Sequence, residues 1–318
     1  MGELKNYYFN RLSFSDRACY LEVLAQLKNF SPLIKVDYVE NFSKIMTSIA
    51  NDRSELFYID WGKLKGYSSH AGKIMFKPIY LFNKVESASY TKKIDKFISK
   101  LDCGGDDYSK AKCVHDFLLN KVKYDNMARD LHRPDSHSII GPILFDEGVC
   151  EGIAEAAQYI FDYLNMDSTV ILSIGKDRIG HKWNMVKIDG QSYHMDLIGD
   201  IDSKWDDNHI SYNFFLISDT EMKRFYSWTE GPSSSTDGKD YFVREGLAVS
   251  SDRDLVNLLK LFIPGQLLCF KTIGGYSKKS ADYIFKFCQD NLISIKYPYS
   301  LECKVNSLLG IYYIKLMQ

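Results

Sequence analysis

Residues 180–196 read GHKWNMVKIDGQSYHMD. Two alternating runs, 183–188 and 191–197, flank Asp189-Gly190, and an Asp-Gly pair in that setting predicts a hairpin with a two-residue turn. The turn sets the register: Ile188 faces Gln191, and counting back along both strands brings Trp183 opposite Asp196. Two residues further out, His181 shares a face with Asp196 at a diagonal of about 7 Å, which side chains bridge. A carboxylate beside an imidazole orients the ring and holds its charged form. The bland reading is a solvated surface ion pair. His194 lies on the same face and competes for the role of base. His181 is preferred because it follows Gly180 at the open end of the ladder, where another element can reach it.

Upstream, residues 148–156 read GVCEGIAEA. Cys150, Ile153, Ala157, Ile160, Phe161 and Leu164 form an apolar stripe at helical spacing, so a helix is expected to begin near Cys150. A first-turn cysteine meets unpaired N–H groups and the positive end of the dipole, which stabilise a thiolate. A lone cysteine more often packs as a small hydrophobe, and GVCEG alone does not separate the two readings.

Periodicity predicts helices over 16–28, 39–50, 90–101 and 109–122, and short strands over 56–61 and 74–81 joined as a hairpin. A buried strand is expected over 169–174. The turn-rich segment GPSSSTDGK, residues 231–239, marks a boundary. Beyond it the pattern reads strand 241–243, helix 252–261, strand 266–272, helix 277–290 and terminal strands through 311–316. No internal repeat is present.

Across 318 residues, 40 Lys plus Arg against 41 Asp plus Glu leave a net charge of -1, which gives the whole chain no attraction for nucleic acid or anionic lipid and favours a peptide substrate over a polyanion. No membrane-spanning run occurs. The opening MGELKNYYFN lacks the basic and apolar regions of a signal peptide, which reads as cytoplasmic; a secreted or cell-surface location follows if a leader has been removed. Seven scattered cysteines without a C-x-x-C pair argue against a disulfide framework or a zinc site; six are expected to pack and one, Cys150, to be a free nucleophile.

These residues resemble the transglutaminase-like core, a papain-related fold whose signature is a Cys at a helix N-terminus followed by His and Asp on adjacent antiparallel strands. GVCEGIAEA, GHKWNMVKIDG and YHMD carry the resemblance, with AKCVHDFLLNKVKYDN (111–126) before and NFFLISDTEM (213–222) after them. It covers roughly residues 87–228. SELFYID (54–60) and YFVREG (241–246) are similar to extensions on bacterial members. Two departures stand out: the family's usual Asp-x-Thr with a following Trp-Asp is here Asp196-Leu197-Ile198-Gly199-Asp200, with Trp205-Asp206-Asp207 only later, and the usual aromatic after GVCEG is Ile153.

The resemblance implies an α+β fold with the Cys helix packed on an antiparallel sheet bearing His and Asp. It places a helical and β N-terminal unit at 1–86, the catalytic core at 87–230 and a small α+β unit at 231–318. It implies catalytic roles for Cys150, His181 and Asp196: the thiolate attacks an amide carbonyl and water or an amine resolves the thioester, on a protein or peptidoglycan-like peptide, with peptidase action favoured over cross-linking. No cofactor is expected. Asp200, Asp202, Asp206 and Asp207 lack EF-hand spacing and are expected in a solvated loop. Two rival readings are a metal centre of His181, His194 and Asp196, which lacks metalloenzyme spacing, and an idle module whose 22 Tyr and 19 Phe serve a protein or cell-wall partner. Oligomeric state is not legible.

Overall fold

The computed structural model describes residues 4–64, 66–128, 133–174, 180–234, 238–261, 263, 265–293 and 300–317. It is a mixed α+β chain with several antiparallel sheets. Two compact units emerge: unit 1 is Met1–Phe215 with Tyr226–Ser235, and unit 2 is Leu216–Phe225 with Thr236–Gln318. Residues 235–237 of the expected boundary segment lie outside the described residues.

Unit 1 begins with α1 (Tyr7–Asn10), α2 (Phe14–Lys28), β1 (Ile34–Asp37), α3 (Phe42–Asp52), β2 (Ser68–His70) and β3 (Lys73–Phe76). Ser13 caps α2 by accepting from Asp16 N, and the stripe Cys19, Tyr20, Val23, Leu24, Leu27 is buried, as its spacing requires. The strands form a sheet in the order β1-β3-β2. The expected pairing of 56–61 with 74–81 is found over a shorter stretch. Asp60 N donates to Ile79 O and Leu81 N to Tyr58 O around an antiparallel bridge of Ile59 to Tyr80, but Ser54–Leu56 is a 3-10 turn and the Asp60 carboxylate accepts from Lys63 N and turns the chain away, so no regular strand forms at 56–61. A six-residue apolar run does not by itself distinguish a strand from a buried turn.

Helices α4 (Lys84–Ile98) and α5 (Asp107–Lys121) follow. The first starts six residues before its apolar stripe because Asn83 and Glu86 close a capping box. Cys103 and Cys113 are joined by a disulfide, which corrects the expectation of six packing thiols. The two stand ten residues apart across the Gly104-Gly105 break, a separation with no motif to announce it. Short strands β4 (Lys123–Tyr124) and β5 (Glu147–Gly148) pair in parallel and lead into α6 (Cys150–Tyr163).

Strands β6 (Ser168–Ile174), β7 (Gly180–Ile188) and β8 (Gln191–Met195) form an antiparallel meander. Ile188 pairs with Gln191 and Asn184 with Met195, the register read from the sequence, and both turn residues have left-handed φ, 52° at Asp189 and 75° at Gly190. The chain then forms α7 (Leu197–Asp202), and Asp196 N donates to Phe214 O shortly before β9 (Phe215–Ile217).

In unit 2, α8 (Asp219–Met222), α9 (Tyr241–Arg244), β10 (Ala248–Val249), α10 (Asp252–Lys260), β11 (Leu267–Thr272), α11 (Ala281–Ile293), β12 (Ser300–Asn306) and β13 (Ile311–Met317) surround a sheet ordered β10-β11-β13-β12. Phe270, Leu255, Leu259, Ile284 and Ile314 are among its buried core. The expected strand at 241–243 is instead the helix α9, because Asp240 caps it by accepting from Val243 N.

Candidate active site

Cys150 is the first residue of α6, after an N-cap, Val149, that offers no side-chain acceptor. The first-turn N–H groups are thereby left for solvent or a ligand. Close packing holds this helix start in place. A Cβ on Gly152 would stand 2.4 Å from the carbonyl oxygen of Ser136 and 2.9 Å from that of Ser138, so only glycine lets the 136–138 segment approach the first turn. Val149 N also donates to Ser136 O, and Asp125 N to Gly148 O.

β7 outruns β8, so His181 lies beyond the last β7–β8 pair and opposite Ser173 of β6. Its Nε2 is 2.8 Å from Oδ2 of Asp196, and the Cys150 side chain hydrogen-bonds the same imidazole. With Nε2 committed, Nδ1 is the nitrogen left for sulfur. The other oxygen of Asp196 accepts from Ile198 N and Gly199 N at the start of α7, so one carboxylate both caps a helix and orients the ring. Burial opposes charge on His181, but Asp196 and the Cys150 sulfur outweigh it and raise the imidazole to about 10.

Aromatic rings roof the imidazole. Tyr226 stacks on His181 at 4.6 Å between centroids, Trp183 stacks at 5.6 Å, and Trp228 meets Trp183 edge-on. The Tyr226 hydroxyl also hydrogen-bonds Asp196, and its ionisation is pushed up by burial and by that carboxylate. No sequence signal marks Tyr226, which stands 45 residues after the histidine it covers.

His194 lies elsewhere in the network. It is fully buried, and its Nδ1 accepts from Trp183 Nε1 at 2.9 Å. Consequently His181, His194 and Asp196 do not converge, and among the described residues no group of three His, Cys, Asp or Glu could hold a metal. Of the acidic set, Asp202, Asp206 and Asp207 are exposed, but Asp200 is not in a solvated loop. It is wholly buried, 3.2 Å from His115 Nε2, and accepts from Ser211 Oγ and Phe214 N, so the expectation is corrected for that residue. A run of acidic residues looks solvated until a distant buried histidine claims one member.

Behind the cysteine, alternation on β7 aims Lys182 and Asn184 at α6. Lys182 Nζ lies 2.9 Å from Glu155 and 3.6 Å from Glu151, while Asn184 Nδ2 donates to Ala154 O. Glu151 also pairs with His137 Nδ1 at 3.0 Å. Burial raises Glu155 to about 7 despite its lysine, whereas His137 and Lys182 overcome burial and lower Glu151. Cys150, His181, His137, Tyr124, Asn126 and Leu172 are among the walls of a cleft of about 650 Å³, room for an extended peptide segment. Residues 129–132 of the 124–138 segment lie outside the described residues.

No protein family's profile matches the sequence, and no curated protein matches it. Among solved structures, the chain is similar to a TGase at 12% identity and a TM-score of 0.32, over 52% of this chain and 50% of that one. It is also similar to a candidate cysteine protease from Cytophaga hutchinsonii (12% identity, TM-score 0.29, 43% of this chain and 62% of that one). A third is a candidate protease from Parabacteroides distasonis (15% identity, TM-score 0.27, 42% and 35%). This chain thus spans less than two thirds of each of these proteins, and likeness at this level carries no functional argument. No helix among the described residues is long and apolar enough to cross a membrane.

Proposed function

We propose that the chain is a transglutaminase-like cysteine enzyme in which Cys150 is the nucleophile, His181 the proton carrier and Asp196 the group that orients and charges the imidazole. The supporting observation is the relay itself: a cysteine at a helix start, hydrogen-bonded to an imidazole whose far nitrogen is 2.8 Å from a buried carboxylate, on the wall of an open cleft. With His181 raised to about 10, the imidazolium is the form held at neutral pH, beside the sulfur proposed as nucleophile.

In this reading the thiolate attacks an amide carbonyl, and the tetrahedral oxyanion is met by the Cys150 N–H and by a second donor for which Tyr124, a residue of the same cleft, is the candidate. As the C–N bond breaks, His181 gives its proton to the leaving amine and a thioester remains. The neutral imidazole then takes a proton from water attacking the thioester, which frees a carboxylic acid and restores the ion pair. Peptidase or amidase action on a protein or wall peptide is favoured over transfer to an amine. The three-part division at residues 86 and 230 belongs to the same proposal.

Alkylation tests it. Iodoacetamide near pH 6 should label Cys150 well ahead of Cys19, Cys269, Cys288 and Cys303, and casein, a glutamine donor with an amine, and muropeptides should separate peptidase, transferase and wall-peptide activities. Cys150→Ala should lose at least ~10³-fold of whichever activity is found. Cys150 reacting last, with no turnover on the panel, would replace the enzyme by the idle binding module.

A further inference from the structure

Asp196 stands at the head of α7, whose backbone aims its carboxylate: Oδ1 accepts from Ile198 N and Gly199 N, while Oδ2 meets His181. A helix of six residues is too short to hold its own shape in water. The direction of those two N–H groups therefore depends on ties between α7 and the rest of the unit.

The ties converge on Phe214 and Asp200. Phe214 O accepts from Asp196 N at 3.2 Å, and Phe214 N donates to Asp200 Oδ1 at 3.1 Å. The Phe214 ring closes on Gly199, where a Cβ would stand 2.6 Å from it. Ser211 Oγ donates to the same Asp200 oxygen at 2.9 Å. The other oxygen is 3.2 Å from Nε2 of His115 on α5, whose Nδ1 is 2.9 Å from Asp116, itself paired with Lys112 at 2.8 Å. Asp200 and His115 are wholly buried, and Tyr212 and Phe215 pack their rings on the imidazole. With a carboxylate against each ring nitrogen, His115 donates from both; burial opposes its charge, and Asp116 and Asp200 overcome that and raise it. An apolar residue in place of Asp200 would anchor α7 at a lower desolvation cost, but without direction. A carboxylate held by His115, Ser211 and Phe214 fixes where Phe214 lies, and with it the backbone of Asp196.

We infer that Asp200, locked by His115, is a positioning residue for the cysteine site: through Phe214 and α7 it keeps Oδ2 of Asp196 turned to His181. The inference rests on the roles proposed for Cys150, His181 and Asp196.

Site-mapped iodoacetamide rates of Cys150 in the full chain, at pH 6 and pH 10 and well below each variant's melting temperature, test it. Asp200→Ala should slow alkylation about tenfold at pH 6 and less than about twofold at pH 10, where the thiolate forms without an imidazolium. Asp200→Asn still offers Phe214 N and Ser211 an acceptor, and should restore the pH 6 rate to within about threefold of the unaltered chain. Phe270→Leu, in the core of unit 2, should lower stability and leave both rates unchanged. Should Asp200→Ala fail to fold, Ser211→Ala removes one donor to the same oxygen and should slow the pH 6 rate alone, about threefold. Equal loss at both pH values, no loss at either, or Asp200→Asn as slow as Asp200→Ala would overturn the positioning role. Absence of fast Cys150 labelling in the unaltered chain would instead overturn the nucleophile itself, and the positioning role with it.

Discussion

Trp183 Nε1 donates to Nδ1 of His194 at 2.9 Å, and this bond divides the labour between two histidines that the hairpin sets on one face. His194 is held in the core by the indole, while His181, two pleats nearer the open end, is free to meet sulfur on one nitrogen and carboxylate on the other. His181→Ala should slow iodoacetamide alkylation of Cys150 at pH 6 at least ~10-fold, by removing the balancing cation. His194→Ala should cost about 1–3 kcal/mol of stability with little change in that rate. Measured rates in the reverse order would exchange the two roles.

The His181 charge predicts a pH dependence of folding. Its folded value, about 10, lies above the 6.5 of an exposed imidazole, so the stabilisation is complete below about pH 6.5 and is lost as pH rises through about 10. Urea midpoints should therefore fall between pH 7 and 10. Asp196→Asn should flatten that slope, and an unchanged slope in the variant would place its origin in other groups.

Lys182 and Glu155 form an ion pair with side chains 7% and 6% exposed. Removing one charge leaves the other buried and alone, so Lys182→Ala should cost about 3–5 kcal/mol. The double variant Lys182→Met, Glu155→Leu should regain most of it, because an apolar pair of similar volume avoids desolvation altogether. Denaturant melts of the single and double variants decide the matter; additive losses would mean that the two charges do not act as a pair.

Gly152 sits in the first turn of α6, where Ala would ordinarily stabilise a helix by about 1 kcal/mol. Here the added carbon would stand 2.4 Å from the Ser136 carbonyl oxygen, and overpacking against backbone costs about 1–3 kcal/mol. Gly152→Ala should lower the melting temperature and slow Cys150 alkylation, since the helix start must move. A raised melting temperature would show that the 136–138 segment yields freely.

What the chain dictates locally could be read without a structure. The Asp189-Gly190 turn and the alternation on either side of it obey short-range rules, since positive φ at two residues and a period of two are decided within a few bonds. They carried the register, and with it the nearness of His181 to Asp196. The helix over Cys150–Tyr163 was equally legible, its stripe spanning four turns. Short apolar runs at 56–61 and 241–243 were not, because a three- to six-residue run suits turn, strand or helix until a capping carboxylate, Asp60 or Asp240, is seen to close it.

Everything that depends on distant segments meeting was settled by packing. Tyr226 stacks on His181 from 45 residues further along the chain, Asp200 finds His115 85 residues away, and Cys103 joins Cys113 across a glycine break. Phe214 ties Asp196 to Asp200 through its own backbone N–H and C=O. Such meetings leave no periodic trace, because their free energy comes from burying side chains against partners that the backbone pattern does not name. Sequence alone therefore determined where an imidazole and a carboxylate stand on one hairpin, and tertiary structure decided what covers them, what charges them and what holds them in place.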